Sequence, residues 1–281
     1  MVVVIGASGL LGSELVSTAP CDITALTHKD IEISDYRRSW KLLSDIHPDL
    51  IINAAGYTNV DKCEEDPQPA LTANMVGPWY LSKMCRHLNC GFVQFSSDFV
   101  FDGKKGGPYL EDDKVFPLSW YGNSKVYSEH VARKVPRHYT IRTGELYGKG
   151  GLGKKQDMVD TIVKAARVGW GNVRLIYDQF VSPTWTRELA KATWRLVEVA
   201  EPGTYHLTSE WYCSWHEFGQ TILNILGIQG EVPRVSLAEF SKGRAERPVF
   251  SVLENTKAKQ HGIFLPHWRE SIQKYLEKNH D

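Results

Sequence analysis

The sequence predicts an α/β fold, a doubly wound parallel sheet followed by a smaller C-terminal α/β lobe. Three observations predict it. Short apolar runs alternate with segments of helical periodicity through the first half of the chain, as in a parallel sheet covered on both faces. A glycine triplet stands directly after the first of these runs. Beyond about residue 144 the alternation weakens while helical patterns continue, which marks a second, less regular lobe.

The elements follow in order. Residues 2–5 are a continuous apolar run, as expected of a strand buried on both faces. The glycine stretch covers 6–12, and a helical pattern runs on to about residue 18. Residues 23–27 read as the second strand and 37–46 as a helix. Residues 50–54 are another buried strand, introduced by His47-Pro48-Asp49. One long helix is expected over 67–88, with apolar residues at mixed i+3 and i+4 spacing. Strand 91–95, helix 118–134 and strand 139–142 complete the alternation. Then comes Gly148-Lys149-Gly150-Gly151-Leu152-Gly153, a flexible glycine-rich stretch. Helices are expected at 157–168, 186–200, 214–226 and 266–277, with a strand at 173–176. Residues 1–147 form the sheet domain and 148–281 the lobe, with about 172–200 returning to the sheet domain.

Composition narrows the function. Lysine plus arginine and aspartate plus glutamate both number 33, so the formal charge of the 281 residues is zero. Such a chain carries no electrostatic footprint for nucleic acid or anionic lipid. No apolar run approaches the ~18 residues that span a bilayer, and the first run is too short for a signal peptide. The five cysteines are odd in number and form no C-x-x-C, which fits reduced thiols in a cytoplasmic protein. Ten histidines without H-x-x-x-H give no metal site. A cytoplasmic globular enzyme or regulator remains, with a small-molecule ligand, no nucleic-acid or membrane partner, and room for a homodimer.

Gly6-Ala7-Ser8-Gly9-Leu10-Leu11-Gly12 is G-x-x-G-x-x-G between a strand and a helix. Glycines permit the tight turn and a close backbone approach to a pyrophosphate, and the helix N-terminus offers free N–H groups to the anion. This makes the sheet domain Rossmann-type, with Gly6, Ser8, Gly9, Leu10, Leu11 and Gly12 as candidate cofactor contacts. An NAD site usually ends its second strand on an acidic residue that meets the ribose 2′-hydroxyl. Here the strand ends Ala25-Leu26-Thr27-His28-Lys29. No carboxylate stands at the tip, Lys29 is suited to a 2′-phosphate, and Asp30 lies just beyond. NADP(H) is favoured, with NAD(H) the alternative.

Tyr121-Gly122-Asn123-Ser124-Lys125 is Y-x-x-x-K, which on a helix puts phenol and ammonium on one face. A nearby cation is expected to lower the phenol pKa, and the tyrosine then gives a proton to a carbonyl oxygen as hydride reaches carbon. Ser97, at the end of the preceding strand, is placed to hydrogen-bond the same oxygen. Y-x-x-x-K alone is a common accident. Its weight comes from order: the glycine loop, Asn53-Ala54-Ala55, Ser97, then Tyr121 and Lys125, all at the ligand-binding edge of a parallel sheet.

These residues resemble an extended short-chain dehydrogenase/reductase and, more closely, the dTDP-4-dehydrorhamnose reductase family. Matching stretches include Asn53-Ala54-Ala55-Gly56-Tyr57-Thr58-Asn59-Val60-Asp61-Lys62 and Ser96-Ser97-Asp98-Phe99-Val100-Phe101-Asp102-Gly103. They continue with Arg142-Thr143, Asp178-Gln179, Pro183-Thr184, Gly203-Thr204-Tyr205-His206 and Ala245-Glu246-Arg247-Pro248, over almost the whole chain. The resemblance implies a reductase of the 4-keto group of a nucleotide-linked deoxysugar. Ser97, Tyr121 and Lys125 would be catalytic. Gly6, Gly9, Gly12, Ala54, Ala55, Asn74 and Lys125 would border cofactor, with Glu32 near adenine. Thr58 and Val60 would line the sugar pocket, and Gln179 and Arg247 would hold the diphosphate, arginine matching phosphate oxygens with its fork.

Departures bear on specificity. The family commonly reads Arg-Thr-Ser-Trp where this chain has Arg142-Thr143-Gly144-Glu145, so Glu145 replaces an aromatic residue expected against the sugar. The family's Asn-Phe is Asp157-Met158, and Leu10 stands where glutamine is frequent. Glu145 suggests a related nucleotide 4-ketosugar, not necessarily the rhamnose precursor. A competing function of another class is a dinucleotide-binding regulator, since the regulatory subunit of methionine adenosyltransferase resembles the same family. A co-purified synthetase and no carbonyl-dependent NADPH oxidation would favour it. The tryptophans at 185, 194, 211, 215 and 268 are expected in core and interlobe packing. Glu64-Glu65-Asp66 reads as the start of a helix.

Overall fold

The computed structural model describes residues 1–149, 157–171 and 173–279. Gly150 to Gly153 of the glycine-rich stretch, and residue 172, fall outside that range. The first half contains β1 (Val2–Ile5), α1 (Leu10–Ser17), β2 (Ile23–Leu26), α2 (Tyr36–Ile46), β3 (Leu50–Asn53), α3 (Val60–Glu65), α4 (Gln68–Ala70), a π-helical turn (Leu71–Val76), α5 (Gly77–Leu88), β4 (Gly91–Ser97), a 3-10 turn (Asp98–Val100), α6 (Trp120–Ala132) and β5 (His138–Thr143). Then come β6 (Leu146–Tyr147), α7 (Met158–Val168), β7 (Leu175–Ile176), β8 (Phe180–Val181), β9 (Thr184–Trp185), α8 (Thr186–Val199), β10 (Gly203–His206), β11 (Cys213–Ser214), α9 (Trp215–Ile225), β12 (Arg234–Val235), α10 (Leu237–Phe240), α11 (Thr256–Gln260) and α12 (Trp268–Asn279).

Six strands form one parallel sheet in the order β10–β5–β4–β3–β1–β2. Because successive side chains of a strand point to opposite faces, each apolar run supplies two layers. Val4, Ile52, Val93, Phe95 and Ile141 pack with Leu11 and Leu15 of α1 and with Leu189 and Leu196 of α8. Val3, Ile5, Ile51 and Phe92 pack with Leu43 of α2, Leu81 and Met84 of α5 and Ala132 of α6. The runs are apolar throughout for that reason. The chain passes from β1 to β2 on one side and returns to β3 on the other, and this reversal opens a crevice at the carboxyl ends of the strands.

Three expectations change. The helix expected over 67–88 is α4, a π turn and α5. Pro78 has no N–H to give to the carbonyl one turn back, and Gly77 passes so close to Ile33 that a Cβ would lie 2.4 Å from its Cδ1. Glu64 and Glu65 finish α3 instead of starting a helix, and Asp66 follows as its C-cap, accepting from Gln68 N at 3.0 Å. β10 was not anticipated as a strand, yet it pairs with β5 in register from Gly203↔Tyr139 to His206↔Arg142.

A second core lies beside the sheet. Tyr147, Val159, Ile162, Trp185, Phe218, Trp268, Ile272 and Tyr275 build it from α7, α9, α12 and the short β6–β9 pair. Trp185, Trp194 and Trp268 are buried, whereas Trp211 is 68% exposed, outside the packing role expected of it.

Candidate active site

The glycine loop is shaped by close contacts that only glycine permits. Gly6 takes φ +78, and a Cβ there would stand 2.6 Å from Ala55 N. A Cβ on Gly12 would stand 2.0 Å from Gly6 O. Gly6 N and Ala7 N both donate to Leu26 O, at 3.0 and 3.1 Å, and Gly9 N donates to Gly6 O at 2.9 Å. The loop thus lies flat across the ends of β1, β2 and β3, with the start of α1 directly behind. A cleft of ≈ 580 Å³ opens there, lined among others by Gly6, Ser8, Gly9, Ala54, Ala55 and Glu32. Backbone glycine at both pinch points and a helix N-terminus fit a dinucleotide pyrophosphate. Leu11 turns its side chain into the core and Leu10 faces Gly148, so neither of these two expected cofactor contacts is among the lining residues of the cleft.

At the β2 end, Thr27, His28, Ile31 and Glu32 line the cleft, while Lys29 is exposed and stands outside the lining. Asp30 is folded back and accepts from Thr27 N at 2.8 Å and Thr27 Oγ1 at 2.6 Å. Glu32 accepts from Ser34 N and Oγ, which holds its carboxyl below the usual range. Both acids of this segment thus accept from local donors through one oxygen each.

Next to the cleft, behind its lining residues Gly56 and Tyr57, stand Ser97, Tyr121 and Lys125; a Cβ on Gly56 would lie 3.9 Å from Lys125 Nζ, and Tyr57 packs with Tyr121. Ser97 ends β4, and the other two share a face of α6, whose start is fixed by Ser119 accepting from Gly122 N at 3.1 Å. Gly122 lets α6 press on the 3-10 turn, for a Cβ there would lie 2.3 Å from Phe99 O. Lys125 Nζ donates to Phe95 O at 2.9 Å and stands 6.0 Å from the Tyr121 ring centroid. Burial brings Lys125 down to about 8. Burial also raises Tyr121, against the lowering by Ser97, with the charges of Asp98 and Glu145 adding to the rise. The expected lowering of Tyr121 is thus reversed in the protein alone, because desolvation outweighs any help from an ammonium this far from the ring.

Asn74 reaches this corner from the π turn. Its Oδ1 accepts from Tyr57 N at 2.8 Å, and its Nδ2 donates to Tyr57 O at 2.9 Å and to Ser124 Oγ at 3.0 Å. The amide holds the loop after β3 against α6.

The residues expected around the sugar fall into two groups. Thr58 is exposed, and Val60 packs with Tyr57, Phe99 and Tyr121. Glu145 leaves β5 beside Asp98. Arg247 is largely buried and donates to Asp61 Oδ1 at 2.7 Å and to Ala245 O at 2.8 Å. Gln179 is buried and donates to Pro248 O at 3.0 Å, beside Arg247 in sequence. Two site carboxylates were missed as such. Asp98 was read only within a motif, though a carboxyl directly after Ser97 at a strand end was a usable signal; Ser97 Oγ donates to its Oδ1 at 2.9 Å. Asp61 lies 186 positions from Arg247, a separation that no local pattern bridges.

A family model described as RmlD substrate binding domain matches residues 1–280. A dTDP-4-dehydrorhamnose reductase from Mycolicibacterium smegmatis is 32% identical over 279 residues, 97% of this chain and 84% of that one. The chain belongs to the dTDP-4-dehydrorhamnose reductase family. Within it, the spore coat polysaccharide biosynthesis protein SpsK of Bacillus subtilis is 35% identical over 281 residues, 99% of this chain and 97% of its own. The family fold is equally close: the crystal structure of dTDP-4-dehydrorhamnose reductase from Bacillus anthracis in complex with NADP superposes with a TM-score of 0.92, at 27% identity and 99% coverage of each chain.

Proposed function

We propose that the protein is an NAD(P)H-dependent reductase of the 4-keto group of a nucleotide-linked deoxysugar. The observation that carries this reading is that Lys125 and Tyr121, with Ser97 at the end of β4, stand next to Gly56 and Tyr57, two residues of the cleft lined by the glycine loop. Family membership supports the reaction class, and the names of relatives supply the nucleotide-sugar. When bound, the dihydronicotinamide supplies hydride. Gly6, Gly9, Gly12 and the start of α1 would hold its pyrophosphate by backbone N–H groups, with Ala54, Ala55 and Lys125 along its length. NADP(H) is the favoured form, because the strand tip itself carries no acid and Asp30 beyond it is turned back onto Thr27.

The protein's own groups then do the following. Tyr121 keeps its proton until a carbonyl oxygen arrives, since burial disfavours the phenolate. It donates that proton as negative charge builds on the oxygen. Ser97 would steady the same oxygen by turning its single O–H from Asp98, to which it donates in the ligand-free protein, toward the carbonyl. Lys125, anchored on Phe95 O, stabilises the phenolate that is left. Arg247, Gln179 and Thr58 border the space where the nucleotide-sugar lies.

The test is a panel of nucleotide 4-ketosugars scored by NADPH and NADH oxidation. Wild type should oxidise NADPH faster than NADH, and only with a ketosugar present. Tyr121→Phe should lower turnover by a factor on the order of 10²–10⁴, with NADPH affinity nearly unchanged by fluorescence titration. Near wild-type reduction by Tyr121→Phe would remove the assigned acid.

A further inference from the structure

β5 ends at Thr143, and the chain leaves it through Gly144 and Glu145. Gly144 has no room for a side chain: a Cβ would lie 2.9 Å from Asp98 Cγ and 3.0 Å from its Oδ1. The Asp98 carboxyl therefore rests against the backbone that carries Glu145. Glu145 itself takes φ +47, a left-handed conformation rare for a residue with a side chain. That conformation is locked from the following side. Glu145 O accepts from Thr184 N at 3.1 Å, and Leu146 then pairs with Thr184 in β6–β9.

Backbone, not side-chain bonding, thus directs the Glu145 carboxyl. Among the described residues it has no hydrogen-bond partner; the groups acting on it are the charges of Asp98 and Arg247, and its own charge acts on Tyr121. Arg247 is already committed to Asp61 and Ala245 O. Burial and the neighbouring carboxyl push Glu145 up to about 8, and burial pushes Asp98 up to about 6. Two acids raised in this way are partly protonated near neutral pH, so that together they offer both a donor and an acceptor.

We propose that Glu145, backed by Asp98, is the specificity-determining residue for the sugar, binding a hydroxyl or amino group on a ring carbon next to the reacting carbonyl and disfavouring sugars with only hydrogen there. The proximity to Tyr121 fixes the position, because the phenol marks where the carbonyl oxygen lies. The proposal rests on the ketosugar reductase reading above.

The experiment compares three nucleotide 4-ketosugars that differ only at C3, carrying hydroxyl, amino or hydrogen. Wild type, Glu145→Gln and Glu145→Leu are each assayed for kcat and KM. Wild type should favour hydroxyl or amino over hydrogen by at least about tenfold in kcat/KM, since a site built for a donor rejects the analogue lacking it. Glu145→Leu should bring the three within about twofold of one another, mainly through KM. Glu145→Gln, which keeps a donor and an acceptor, should retain the hydroxyl preference and lose the amino one. NADPH binding by fluorescence should persist in both variants and shows that they are folded. An unchanged preference in Glu145→Leu, or equal losses on all three sugars, would overturn the proposal. A wild type that reduces none of them would instead overturn the reductase reading and take this assignment with it.

Discussion

Lys125 carries a buried charge at a cost in stability. It is 6% exposed, and burial brings it from 10.5 to about 8. At 1.36 kcal/mol per unit, keeping the ammonium inside costs the folded state about 3 kcal/mol at neutral pH. With the folded value below the unfolded one, the penalty is complete below pH 8 and lifts as pH rises from 8 to 10.5, so this group makes stability increase through that window. Lys125→Met should therefore abolish reduction, leave Tm at pH 7 equal to or above wild type, and flatten the dependence of Tm on pH between 8 and 10. A variant with a much lower Tm and the wild-type slope would contradict this. The identity of this residue was legible in the sequence, because i and i+4 on a helix share a face. Its environment was not. The anchor on Phe95 O and the distance from the Tyr121 ring depend on where β4 sits against α6, which a local pattern does not encode.

The loops and turns around the cleft are tighter than their sequence suggests. Gly12 is the clearest case, since the atom a side chain would strike is backbone, the carbonyl of Gly6. Gly12→Ala should destabilise the fold by roughly 1–3 kcal/mol, as overpacking does, and weaken NADPH binding at least tenfold. Urea unfolding and fluorescence titration measure the two effects. Unaltered NADPH affinity would mean that the loop does not approach the ligand. Here the sequence was informative, for a glycine triplet between strand and helix has few structural solutions. The segment 67–88 was less so. A π turn adds one residue to a helix, and mixed i+3 and i+4 spacing absorbs that without trace. Asn74 sits in that turn, so the feature hidden from periodicity is the one that aims its amide at Tyr57 and Ser124.

At the scale of the molecule, one buried ion pair ties the sheet to its surroundings. Arg142 on β5 donates twice to Glu129 on α6, at 2.8 Å each, and once to Glu111 O at 3.0 Å. Ser96 on β4 also donates to Glu129, at 2.6 Å. Glu129→Ala should cost about 3–5 kcal/mol by leaving the arginine charge uncompensated, whereas Glu129→Leu with Arg142→Met should recover most of it. Urea unfolding of the single and double variants checks this, and equal losses in both would contradict it. The α/β class, the strand-rich first half and the ligand edge were readable from residues such as Ile51, Ile52 and Val93. β10 was not, because Gly203-Thr204-Tyr205-His206 is short and half polar, and the partner that buries it lies 64 positions earlier. That strand has a consequence for synthesis. Until Gly203–His206 has left the ribosome, β5 waits with one edge unpaired. An exposed edge of this kind invites pairing with another chain. The cofactor-binding half, although first in sequence, is thus completed only when most of the protein has been made.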